Sequence, residues 1–123
     1  MQLSPRYSVI HAGFLQEIGP YYLEEGIDYK VGDNLTENKY SWNKLSNLLF
    51  LESPAGVGYS INTDQNYRHN DASTAYDSLY AVIDFFTKFS EYRQNIFFIA
   101  GESYAGKYIP DLAVLIDTYN FIG

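Results

Sequence analysis

The feature that most constrains the fold of this chain is an apolar run that leads directly into a serine flanked by small residues. The segment reads NIFFIAGESYAG from Asn95 to Gly106, and a helix-like pattern follows it. Gly101, Ser103 and Ala105 match the pattern G-x-S-x-G, with alanine in the place of the second glycine. In a nucleophile elbow, a strand ends in a tight, strained turn that exposes the serine and requires small neighbours. The segment predicts such an elbow, and a serine that caps a helix N-terminus is the alternative.

The preceding residues place this elbow in an α/β fold. A continuous apolar run over 45–51 has strand length and suits a strand that is covered on both faces. Residues 71–90 have helical periodicity after an Asn70-Asp71 start that suits an N-cap, and a second apolar strand follows over 96–100. Strand, helix and strand form a βαβ unit with a right-handed crossover, part of a larger, mostly parallel sheet. The helix is expected to bury Ala72, Ala75, Leu79, Val82, Ile83 and Phe86.

The two ends of the chain add further helices. Apolar spacing predicts a short helix over 8–18 that Gly19-Pro20 terminates, and turn-rich composition predicts short strands and loops over 21–43. Residues 104–119 read as helical, but Pro110 predicts a kink over 106–109 and a restart. We find no internal repeat or linker, so residues 1–123 are read as one domain or part of one.

Composition excludes several classes of function. The formal net charge is −7, from 15 acidic and 8 basic residues, which leaves no basic surface for a nucleic acid. Cysteine is absent and the only histidines are His11 and His69, so neither a metal site nor a cofactor is expected. No run is long and apolar enough for membrane insertion. The triplet Asn34-Leu35-Thr36 is an N-glycan acceptor if the chain enters the secretory pathway.

Four blocks in colinear order carry a resemblance to a known family. They are LQEIGPYYL at 15–23, YSWNKLSN at 40–47, NLLFLESPAGVGYS at 47–60 and GESYAGKYIPDLA at 101–113. Together they resemble the serine carboxypeptidases, which are α/β-hydrolase exopeptidases. The resemblance implies a single partial α/β-hydrolase domain that releases C-terminal residues from peptides or proteins without a cofactor. It also implies a location in the vacuole or lysosome, or outside the cell.

The same resemblance implies roles for three consecutive residues. Ser103 is the acylated nucleophile, and the backbone N–H of Tyr104 is one oxyanion donor. Glu102 binds the carboxylate of the substrate's C-terminus together with an asparagine, and two carboxylates hydrogen-bond only when a proton lies between them. A solvated surface carboxylate is the alternative interpretation of Glu102.

The first motif of the family departs from its pattern here. Family members have an asparagine followed by Gly-Gly-Pro-Gly, and counting back without gaps from Gly19-Pro20 places that motif on residues 3–7. Leu3 then replaces the asparagine, and Pro5, which has no amide hydrogen, replaces the second oxyanion donor. Loss of one such donor costs on the order of 3 kcal/mol of transition-state stabilisation. Either this site is damaged or these residues are not the family segment.

The remaining catalytic residues are a second departure. In α/β-hydrolases the triad aspartate and histidine follow the serine, yet no histidine follows Ser103. We therefore expect the chain to be the N-terminal portion of a longer enzyme, inactive by itself, with exposed strand edges that promote aggregation. A fragment that binds without turnover and an acyltransferase of the same family are the alternatives.

Overall fold

The computed structural model describes residues 10–23 and 35–122, and two packed helices organise them. Helix α1 spans Asp71–Lys88 and helix α2 spans Ala105–Ile122. Most of the buried apolar side chains lie where these helices face each other, so the core belongs to the segments on either side of the elbow. These side chains are Ala75, Leu79 and Val82 on α1, and Ala105, Tyr108 and Leu112 on α2.

Helix α1 begins with a reciprocal cap. The Asn70 side chain accepts a hydrogen bond from the Ser73 amide at 2.8 Å, and the Ser73 hydroxyl accepts one from the Asn70 amide at 3.0 Å. This capping box satisfies two amides that a helix end leaves unpaired. The predicted helix is confirmed. Its predicted buried face is correct at Ala75, Leu79 and Val82, and wrong at Ala72, which is exposed.

Helix α2 continues without interruption through Pro110. The predicted restart is therefore wrong, and the predicted kink over 106–109 stays a prediction. Pro110 lies in the second turn, where its missing amide removes a single hydrogen bond to the carbonyl of Gly106. The helix tolerates this loss because the residues around it are held by packing, with Tyr108 and Leu112 buried against α1.

The N-terminal part of the described chain is a helix followed by a small sheet. A π-helix spans Ile10–Glu17 and ends before Gly19-Pro20, in agreement with the predicted stop. Strand β1 (Tyr21–Leu23) pairs antiparallel with β2 (Leu35–Glu37), with Tyr22 opposite Thr36. Short 3₁₀ turns occur at Trp42–Lys44 and Ser90–Tyr92. The predicted short strands and loops over 21–43 are confirmed for the described residues.

The two predicted buried strands are not formed. Residues 47–51 and 96–100 are neither helical nor paired with another strand of the described chain, and residues 45 and 46 lie in a turn. Ile96 and Phe98 are 83% and 82% exposed, so burial of this segment is also wrong. A strand requires a neighbour to accept and donate its backbone hydrogen bonds, and the described residues supply none at either segment.

Some predictions concern residues outside the described chain. These are the departures at Leu3 and Pro5 and the sequon at Asn34. Within the described part, neither long helix is apolar enough over a sufficient length to cross a membrane.

Candidate active site

The backbone of Ser103 adopts a conformation that few serines adopt. Its φ is +59°, in the left-handed region that costs a residue with a Cβ about 1–2 kcal/mol. The next turn then closes at once, because the amides of Ala105 and Gly106 donate to the carbonyls of Glu102 and Ser103 at 3.1 and 3.0 Å. Ser103 therefore occupies a sharp, strained turn directly before α2, which is the conformation that an elbow requires.

The residues two positions before and after Ser103 have no room for larger side chains. A Cβ on Gly101 would lie 2.5 Å from Cδ1 of Ile109 and 2.6 Å from Cβ of Ala105. Ala105 itself is fully buried. By contrast, a Cβ on Gly106 would meet nothing within 4 Å. The turn is thus closely packed at Gly101 and Ala105 but has space for a side chain at Gly106.

The side chain of Tyr104 connects the turn to the start of α1. Its hydroxyl donates to a carboxylate oxygen of Asp71 at 3.3 Å, and its ring packs edge-on against Tyr108 with centroids 5.0 Å apart. Among the described residues, nothing accepts a hydrogen bond from the Tyr104 backbone amide. The amide next to the strained serine is therefore available to a ligand, while the Tyr104 side chain anchors the turn.

A second carboxyl group lies near Glu102, and sequence analysis did not identify it. Glu17 is the last residue of the π-helix. Burial raises the pKa of the Glu17 carboxyl above its ordinary value, and the nearby Glu102 carboxylate raises that pKa further. Two carboxyls that repel each other favour a state in which they hold one proton. The only sequence signal was the position of Glu17 two residues before the Gly19-Pro20 break, in a block that resembles the family.

Buried polar residues fix the backbone that carries Glu17. The Asn38 side chain is 1% exposed and donates to the carbonyls of Glu17 and Gly19 at 2.9 and 2.8 Å. The Ser41 hydroxyl donates to the carbonyl of Ile18 at 3.0 Å. These bonds satisfy the carbonyls at the end of the π-helix, so the segment after β2 determines where Glu17 lies.

Ser103 has no histidine base among the side chains that the structure describes. His69 is held elsewhere, with Nε2 at 2.8 Å from the carbonyl oxygen of Ala55. The side chain of His11 is not among those described. In the described ranges, no three histidine or carboxylate side chains come together as a metal site.

These features define a class of site. A serine in a strained turn before a helix, with an adjacent unpaired amide, suits nucleophilic attack on a carbonyl and stabilisation of the resulting oxyanion. Beside this turn, the carboxyl of Glu17 has a pKa raised by burial and by the Glu102 carboxylate. Together they indicate the nucleophile half of a serine hydrolase site.

Comparison with known proteins identifies the family. The serine carboxypeptidase family model matches residues 5–122, and the chain belongs to that family. It is 48% identical over 118 residues to Serine carboxypeptidase 24 of Arabidopsis thaliana, which covers 94% of this chain and 24% of that protein. It is 46% identical over 111 residues to a serine carboxypeptidase of Caenorhabditis elegans, covering 89% of this chain and 23% of that protein.

A mammalian relative has a similar identity to this chain, again over a small share of its own length. The lysosomal protective protein of Mus musculus is 46% identical over 104 residues, which cover 85% of this chain and 21% of that protein. The chain therefore spans less than a quarter of the length of these three relatives. Membership of the family implies the α/β-hydrolase fold, of which the described residues are a small part.

Proposed function

We propose that a domain containing this chain is a serine carboxypeptidase that removes C-terminal residues from peptides or proteins through an acyl-enzyme on Ser103. The observation that carries the proposal is the left-handed φ of Ser103 directly before α2, in a chain of this family. The strain holds the hydroxyl out of the helix, where a substrate carbonyl can approach it.

The proposed reaction has two steps. The Ser103 oxygen forms a bond to the carbonyl carbon of the last peptide bond while a histidine from another part of the domain takes its proton. The C–N bond then breaks, the histidine returns the proton to the leaving amine, and water hydrolyses the ester in the same manner. The Tyr104 amide donates a hydrogen bond to the developing oxyanion, and removal of one such donor typically lowers kcat about 10²–10³-fold.

Glu17 and Glu102 are proposed to recognise the substrate's terminal carboxylate. With one proton bound, the pair carries a single negative charge, and its protonated carboxyl presents an O–H donor to that carboxylate. The raised pKa of Glu17 keeps this proton bound to a higher pH than an isolated carboxyl does. Selectivity for chain ends follows, because an internal peptide bond has no carboxylate to accept the hydrogen bond.

The complete domain is proposed to place residues 47–51 and 96–100 as parallel strands on either side of α1, joined by a right-handed crossover. A secretory route to a lysosome or vacuole, or out of the cell, is proposed by likeness to relatives such as the lysosomal protective protein of mouse. On that route Asn34 would be available for an N-glycan.

A chimera tests the activity. This chain replaces the matching segment of Serine carboxypeptidase 24, and the release of the last residue is measured with a free-acid peptide and its C-terminal amide. We expect hydrolysis of the free acid and at least ~100-fold slower hydrolysis of the amide. Ser103→Ala should abolish hydrolysis, whereas its matched control Ser90→Ala should retain it. Loss of activity in both variants or in neither, or equal hydrolysis of the two peptides, would overturn the proposal.

The pH dependence of KM tests the carboxyl pair. As pH rises through the raised pKa of Glu17, the pair loses its proton, becomes doubly charged and repels the substrate carboxylate, so KM increases. Glu17→Gln keeps a neutral donor beside Glu102 at every pH. We expect the increase of KM in that pH range to disappear in this variant while kcat changes less. An unchanged KM profile would rule out a role for Glu17 in binding.

A further inference from the structure

Asp71, the first residue of α1, contacts the turn that carries Ser103. Its carboxylate accepts a hydrogen bond from the Tyr104 hydroxyl at 3.3 Å, and the two residues lie 33 positions apart in the chain. The start of α1 is therefore connected through a side chain to the residue that follows Ser103. The activity proposed above uses the backbone amide of Tyr104 and leaves this side-chain contact unexplained.

The backbone that carries Asp71 is held in place by the capping box of α1. The Asn70 side chain accepts from the Ser73 amide at 2.8 Å, and the Ser73 hydroxyl accepts from the Asn70 amide at 3.0 Å. Asp71 lies between these two residues, in the first turn of the helix. A group on a rigid element is held more precisely than a group on a loop. The Asp71 carboxylate is therefore a well-placed acceptor for the Tyr104 hydroxyl.

Tyr108 holds the other part of the Tyr104 side chain. It is only 7% exposed, and its ring packs edge-on against the Tyr104 ring with centroids 5.0 Å apart. Burial raises the pKa of the Tyr108 hydroxyl, and the nearby Tyr104 and Asp71 raise that pKa further, as expected where the three groups lie close together. The Tyr104 side chain is thus held at both its ring and its hydroxyl, although it lies at the surface.

These contacts act on the peptide group that contains the proposed oxyanion donor. The Tyr104 N–H belongs to the peptide plane between Ser103 and Tyr104, and a peptide group moves as one planar unit. At one end of this plane, the Ser103 carbonyl accepts from the Gly106 amide at 3.0 Å. At the other end is the Tyr104 Cα, which carries the side chain that Asp71 and Tyr108 hold. The direction of the N–H therefore depends on contacts at both ends of the plane.

We propose that Asp71 is a positioning residue for acyl transfer to Ser103, because it holds the Tyr104 hydroxyl and thereby keeps the Tyr104 N–H directed at the oxyanion. This inference rests on the proposed function and adds a residue that acts only through Tyr104. When Asp71 is removed, the N–H donor is still present and is only less well oriented. The loss of rate should therefore be smaller than the 10²–10³-fold that removal of an oxyanion donor typically costs.

Three single variants of the chimera test this role. Asp71→Ala removes the acceptor and should lower kcat about 10-fold while KM changes less than about 2-fold, because the interaction acts in the transition state. Asp71→Asn keeps an oxygen acceptor without the charge and should retain kcat within about 2-fold. Asp84→Ala is the control: it removes another acid of α1, which pairs with Lys88 on the surface, and should change neither constant.

A double-mutant cycle tests whether Asp71 acts through the Tyr104 hydroxyl. Tyr104→Phe removes the hydroxyl and keeps a ring against Tyr108, so it should lower kcat by the same factor as Asp71→Ala. In the Tyr104→Phe background, Asp71→Ala should lower kcat no further. Tyr104→Phe leaves α1 unchanged, so it tests the contact even if Asp71→Ala destabilises that helix. Urea unfolding of each variant separates a loss of folded protein from a loss of rate.

Three results with an active chimera would overturn this inference and leave the proposed function intact. They are a kcat for Asp71→Ala equal to that of Asp84→Ala, additive losses in the double variant, and an equal loss in Asp71→Asn and Asp71→Ala. The last result would indicate that the charge of Asp71 acts on the helix end and that its hydrogen bond has no role. A chimera that hydrolyses no peptide would overturn the proposed function, and this inference with it.

Discussion

At the scale of single residues, the site depends on a conformation that costs free energy. Ser103 is held at a φ of +59°, and the strain persists because the surrounding packing leaves the turn no alternative. Gly101 and Ala105 provide that packing, since a Cβ on Gly101 would lie 2.6 Å from Cβ of Ala105, which is fully buried. The reactivity proposed for the serine therefore depends on neighbours that have no chemical role of their own.

A pair of glycine substitutions tests this packing. Gly101→Ala places a Cβ 2.6 Å from that of Ala105, so in the chimera it should cost about 1–3 kcal/mol of unfolding free energy and slow acylation of Ser103. Gly106→Ala adds a methyl group in open space on a helix and should stabilise by about 0.5–1 kcal/mol. Urea unfolding measures both. Equal effects of the two substitutions would show that the turn is not closely packed.

At the scale of elements, local sequence patterns were sufficient to predict the helices. They were insufficient to predict the structure of the two apolar segments at 47–51 and 96–100. Asn70 and Ser73 cap α1 through bonds between residues close in the chain, so the sequence predicted that helix well. The segments 47–51 and 96–100 depend on neighbours that no local pattern supplies. Likewise the approach of Glu17 to Glu102 joins distant parts of the chain, which periodicity and motif spacing do not reveal.

Hydrogen bonds from Asn38, in the segment after β2, should fix the position of Glu17 at the end of the π-helix. Asn38→Ala leaves the carbonyls of Glu17 and Gly19 without their buried donor, which should cost about 1–3 kcal/mol in the chimera. Because Glu17 then loses its fixed position, KM for a free-acid peptide should increase more than kcat falls. The exposed Asn120→Ala is the control and should change stability by less than about 0.5 kcal/mol. A stable Asn38→Ala variant with an unchanged KM would contradict this account.

At the scale of the whole molecule, the chain carries the proposed nucleophile of a larger site. Ser103, the Tyr104 amide and the Glu17–Glu102 pair lie in the described residues, whereas no described side chain supplies the base. The family blocks predicted Ser103 as the nucleophile, and that role stays a prediction. The exposed Ile96 and Phe98 show why the isolated chain differs from the buried parallel sheet that its apolar runs predict: those runs need partners to cover them.

Labelling with a fluorophosphonate probe tests the central claim most directly. A serine without its base is a weak nucleophile, so the isolated 123-residue chain should stay unlabelled, whereas the chimera should acquire one adduct that peptide mapping places on Ser103. Ser103→Ala in the chimera should abolish the adduct, and Ser90→Ala should retain it. Rapid stoichiometric labelling of the isolated chain, or an adduct on another residue of a peptide-hydrolysing chimera, would contradict the account.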